Sequence, residues 1–128
     1  MTRIFLTLSA LWLSIFSVWA AESDVVDTGY VNAQIVSGFD VVAPGQSFHI
    51  ALRTQLDPHW HTYWHNPGDS GEPVQITWSA PDTLTHGDII WPLPDTIPTG
   101  PIINYGFEGT PYFPVEFTVS PNAVLGEL

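Results

Sequence analysis

Three histidines fall within seven residues, in the run Asp57-Pro58-His59-Trp60-His61-Thr62-Tyr63-Trp64-His65-Asn66-Pro67-Gly68-Asp69-Ser70-Gly71. Neutral imidazole is a common ligand for zinc and copper, so metal binding is the first chemistry to weigh. On a strand His59 and His61 share a face and could reach one ion together. His65 lies six residues beyond His59, about 20 Å away at about 3.3 Å per residue, too far without a bend. There is no Cys and no carboxylate-rich ligand run. The expectation is therefore no resident metal or other cofactor, with His59 and His61 as weak candidates. The competing reading is structural: Trp60 and Trp64 fill the core, and His59, His61 and Tyr63 line the opposite face of a strand.

Other catalytic constellations are missing. The sequence has no Gly-x-Ser-x-Gly elbow, no His-Glu-x-x-His and no phosphate-cradling glycine loop. Ser70 beside Asp69 and near His65 has the residue types of a nucleophile with partners, but Asp69-Ser70-Gly71 is ordinary turn composition. The aromatics Trp60, Tyr63, Trp64, Trp78, Trp91, Tyr105 and Phe107 suit either a sugar-stacking face or a core. Thiol chemistry is closed to this chain, since it contains no Cys. No catalytic residue is assigned.

The elements that position these residues belong to an exported domain. Arg3 precedes an apolar run from Ile4 to Trp19, and Val18-Trp19-Ala20-Ala21 offers the small residues a signal peptidase needs. At about 16 residues the run is short of the roughly 20 that a bilayer helix requires. Residues 1–20 are read as a signal peptide cut after Ala20, and 21–128 as one domain. The formal net charge of −11 becomes −12 once Arg3 leaves, because there is no Lys and Arg53 is the remaining Arg. Such a surface repels phosphate backbones and anionic head groups, so neither nucleic acid nor a lipid surface is an expected partner. An exported chain without Cys has no disulfide scaffold and must rely on a packed core, for which 45% apolar residues suffice.

Twelve Pro and ten Gly leave no mature stretch with a helical apolar period. Period two recurs instead. Val31, Ala33 and Ile35 share one face of Tyr30–Val36; Phe48, Ile50, Leu52 and Leu56 share one face of Ser47–Leu56. Val74, Ile76 and Trp78 alternate with Gln75, Thr77 and Ser79, and Phe113, Val115, Phe117 and Val119 alternate with Pro114, Glu116 and Thr118. These read as four half-buried strands with polar outer faces. Ala43-Pro44-Gly45-Gln46 and Asn66-Pro67-Gly68-Asp69 have type II turn composition. Trp91-Pro92-Leu93-Pro94 is extended and excluded from a central strand. The predicted class is all-β, an antiparallel sandwich. Val124-Leu125-Gly126-Glu127-Leu128 reads as a turn leading into a further strand, so the sandwich is expected to lack its last strand or strands.

His61-Thr62-Tyr63-Trp64, Asn66-Pro67-Gly68-Asp69-Ser70-Gly71, Trp91-Pro92 with Pro94, and Asn104-Tyr105-Gly106-Phe107-Glu108-Gly109, in this order, resemble the N-terminal periplasmic domain of the DsbD family of thiol:disulfide interchange proteins. The likeness is closest to the branch associated with suppression of copper sensitivity, and it runs from about Val31 to Val119. It implies an immunoglobulin-like domain joined to a membrane electron-transfer domain. Electrons would pass through a periplasmic Cys pair to periplasmic disulfide proteins, the implied partners. The chain departs from that pattern at the decisive place, having no Cys. Either it is a piece whose Cys pair lies beyond Leu128, or it is a Cys-free relative. His65 stands where relatives carry a basic residue. The resemblance makes His61, Tyr63, His65, Asn66, Asp69, Ser70, Asn104, Tyr105 and Glu108 candidates for a cap or partner surface beside the pair. The alternative is a non-catalytic periplasmic module that binds metal or sugar on its His and aromatic face.

Overall fold

A computed structural model describes residues 21–124 and Gly126; the expected signal peptide lies outside the described residues. Nine strands and no helix are found among them. They are β1 (Ala21–Glu22), β2 (Val26–Asp27), β3 (Val31–Ser37), β4 (Ser47–Leu56), β5 (Thr62–Gly68), β6 (Leu84–Ile89), β7 (Asp95–Thr99), β8 (Ile102–Phe107) and β9 (Tyr112–Val119). One sheet runs β1-β3-β4-β9-β6, with β2 also on β3; the other runs β5-β8-β7. Every strand pair is antiparallel. The chain passes between the sheets after β4, β5, β6 and β8. The result is the expected all-β, immunoglobulin-like sandwich.

The alternation in β9 builds the core. Phe113, Val115, Phe117 and Val119 are all buried on one face. They stand opposite Leu52, Ile50 and Phe48 of β4, which pair with Phe113, Val115 and Phe117 in register. Phe107 of β8 meets Phe113 edge-on at 5.3 Å, joining the two sheets. The outer face of the large sheet is polar and cross-linked between strands, as the alternation predicts. Arg53 Nη1 donates to Gln34 Oε1 at 3.1 Å, and Gln34 Nε2 donates to Glu22 Oε2 at 3.1 Å. Ser47 and Thr118 hydroxyls lie 2.8 Å apart.

The Ala43–Gln46 turn forms as composition dictates. Gly45 takes φ +78°, and the Gln46 N–H donates to the Ala43 carbonyl at 3.0 Å. Three expectations are corrected. Val74–Ser79 keeps its alternation, with Val74, Ile76 and Trp78 half-buried, but it is not a strand. A parallel bridge between Tyr63 and Pro73 and one bond from the Val74 N–H to the Tyr63 carbonyl are its links to β5. Its side chains instead pack on the core, Trp78 meeting Phe117 edge-on at 5.0 Å. Asn66-Pro67-Gly68 is not a turn either but the end of β5, where the register with β8 shifts between Tyr63 and Gly68. Trp60 is not core: it is 45% exposed and stacks flat on Tyr30 at 4.0 Å.

Candidate functional site

The conspicuous motif residues converge on β5 and β8 and on the loop that follows β5. Tyr63 lies opposite Gly106, and Gly68 opposite Asn104. Past Gly68 the chain folds over the end of β8. The Asp69 N–H donates to the Ile103 carbonyl at 3.0 Å, and Asp69 Oδ2 accepts the Ile103 N–H at 2.7 Å. Asn104, 1% exposed, turns its Oδ1 to accept both the Ser70 N–H at 3.0 Å and the Ser70 hydroxyl at 3.2 Å. Four hydrogen bonds thus pin the Asp69–Ser70 segment to two consecutive residues of β8.

Glycine makes this closure possible. Gly71, at φ +91°, faces the Tyr63 ring, and a Cβ there would overlap the ring carbons. At Gly106 a Cβ would run into the Thr62 carbonyl oxygen, so β5 and β8 can approach only if that position lacks a side chain. The loop is therefore a fixed plate against β8 rather than a free tip.

The histidines separate into different roles. His59 sits in a turn at φ +71°, a left-handed conformation that His tolerates better than most residues, with the Trp60 N–H bonded to the Asp57 carbonyl at 3.0 Å. It is not on β5, so His59 and His61 do not share a strand face as expected from the sequence. His61 Nε2 lies 3.1 Å from the Tyr63 hydroxyl, with the two rings edge to face. His65 packs against Trp64 at 3.8 Å and stands 5.7 Å from Trp91, bordering an open cleft of about 710 Å³ with His86, Asp88 and Trp78. Among the described residues no group of three His, Cys, Asp or Glu side chains is placed to hold a metal ion. The aromatics likewise do not make one face. Trp78, Trp91 and Phe107 turn onto Phe117 and Phe113, whereas Trp60 pairs with Tyr30.

Of the nine residues expected at a cap or partner surface, Asp69, Ser70 and Asn104 form the clamp, and burial removes Asn104 itself from any surface. Tyr105, 38% exposed, stands beside the clamp on the outward face of β8. Asn66 and Glu108 are exposed on β5 and in the β8–β9 connection, respectively. His61 and Tyr63 form a half-buried pair, and His65 belongs to the separate cleft. Sequence reasoning missed Ile103, whose backbone takes two of the four clamp bonds; a backbone partner leaves no mark in residue type.

A family model described as the N-terminal part of the thiol:disulfide interchange protein DsbD matches residues 31–127. No curated protein matches the chain. Among solved structures, the chain is similar to the N-terminal periplasmic domain of ScsB from Proteus mirabilis, with a TM-score of 0.58 and 21% identity. That alignment covers 82% of this chain and 41% of the ScsB chain, so this chain spans less than half of that relative's length. At such identity the structural likeness speaks for the fold, and the family model, matching most of the sequence, speaks for descent: the chain belongs to the family of N-terminal domains of the thiol:disulfide interchange protein DsbD.

Proposed function

We propose that this chain is the periplasmic N-terminal module of a thiol–disulfide interchange protein, exported by residues 1–20 and folded from residue 21 onward. Lacking Cys, it scaffolds and shields a Cys pair supplied elsewhere in the same polypeptide, and it presents the plate on β5 and β8 as the surface beside that pair. The observation that carries this reading is the Asp69–Ser70 clamp on Ile103 and Asn104, which unites two of the motifs that mark the family. A shielding surface must hold its shape when a partner arrives, and a loop held by four bonds meets that need.

In this reading one thiolate of the pair attacks a sulfur of a partner disulfide, the second thiol resolves the mixed disulfide, and two electrons pass to the partner as the pair becomes oxidised. A membrane electron-transfer domain restores the dithiol. The partners are periplasmic disulfide proteins. Insulin reduction tests the division of labour. The 128-residue chain is expected to be inert, whereas the full-length gene product is expected to reduce insulin and to lose that activity when either Cys is replaced by Ser. Turnover by the Cys-free chain would refute the chemistry. A gene product without any Cys would remove the relay and leave a binding module.

A further inference from the structure

At the end of the sandwich where the β3–β4 connection meets the segment after β9, an apolar groove of about 400 Å³ lies open. Its floor is the core residues Phe48 and Val119 with half-buried Ile50 packed against them. Among the described residues its rim exposes apolar side chains, Phe39 49%, Val41 83% and Val124 64%, beside Asp40. A monomeric domain rarely leaves large apolar side chains gathered around a pocket that reaches its own core. The backbone beside it is equally bare. Among the described residues, the N–H groups of Asp40, Val41 and Val42 have no hydrogen-bond acceptor.

Both ends of the described chain reach this groove. Ala21 pairs with Ser37, which lines it, and Ala123, Val124 and Gly126 line it as well. Polypeptide that continues past Gly126 leaves the described domain at the groove's edge. In the ScsB relative more than half of the periplasmic chain lies outside the aligned part. No Lys or Arg lines the groove, so an acidic occupant gains nothing there, and an apolar one is favoured.

We propose that the groove is the seat of the next periplasmic module of the same polypeptide, which places an apolar segment between Val41 and Val124. This inference rests on the reading of the chain as an N-terminal module. A short connection gives the docked segment a high effective concentration, so the interface can be small and still stay closed.

Hydrogen exchange on the full-length gene product tests it. Amides 40–42 should exchange at least ~10-fold more slowly in the native protein than in the Val41→Asp variant, since burial by a neighbour is their remaining source of protection. Val124→Asp, on the opposite rim, should release the same amides. Leu93→Asp, at a site 93% exposed and away from the groove, should not. Unprotected amides 40–42 in the native protein, or equal exchange in all four proteins, would overturn the docking while leaving the module reading intact. A gene product that ends at Leu128 would overturn both.

Discussion

Asn104 has the most constrained role of any side chain in the site. It is buried on β8, and its carbonyl oxygen receives two donors from Ser70. Replacing it by Ala removes both bonds that tie the exposed Ser70 to β8, while the Asp69–Ile103 bonds remain. The expected loss is about 1–3 kcal/mol of unfolding free energy, read from urea denaturation, at about 0.5–1.5 kcal/mol for each lost hydrogen bond. An unchanged midpoint would show that the clamp is not held by this amide. The residue types of this clamp were legible in the sequence as turn and motif composition, but their roles were not. Gly71 meets a ring eight positions earlier, and Ser70 meets an amide 34 positions later; sequence spacing does not encode such contacts. The His cluster shows the opposite failure. Its local density suggested shared ligation, yet Pro58 and the left-handed His59 end the strand logic before His61 begins.

Strands that bury one face of a large sheet were readable, and the others were not, for a physical reason. β3, β4 and β9 pack an apolar face against the core, so period two is written in their residue types. β6 offers only Leu84 and Ile89 as large apolar residues and is broken by a register shift against β9. β7 carries Pro98, tolerated because the strand lies at the edge of its sheet. β8 turns Asn104 and Gly106 inward, where the clamp and the close approach of β5 require a buried amide and a missing side chain. The alternation in Val74–Ser79 reported half-burial correctly, but burial alone does not supply a hydrogen-bonded neighbour. β9 is the element on which the large sheet depends, lying between β4 and β6 with Phe117 1% exposed beneath Phe48 and Trp78. Phe117→Ala is expected to cost about 3–5 kcal/mol, enough to unfold a marginal domain; a loss below about 1 kcal/mol, measured by thermal or denaturant unfolding, would contradict the assignment of the core.

At the scale of the whole molecule, charge and export belong to one picture. With no Lys and two Arg against 13 acidic residues the chain is strongly acidic, which in the exported setting proposed above would set it against anionic membrane surfaces. Mass spectrometry of protein recovered from the periplasm is expected to find an N-terminus at Ala21; retention of Met1 would contradict the reading of residues 1–20. The fold class followed from the alternation and the Ala43–Gln46 turn, whereas the proposed division of labour with a Cys pair carried elsewhere came from the family resemblance together with the absence of Cys. Central to the account is that a domain without thiols serves a Cys pair carried by the same polypeptide, and trapping tests it most directly. In the full-length gene product the resolving Cys is replaced by Ser, and the protein is mixed with an oxidised periplasmic disulfide protein. The account predicts a mixed disulfide that survives non-reducing electrophoresis and maps by mass spectrometry to the remaining Cys. Absence of any adduct from a protein that carries both modules folded would contradict it.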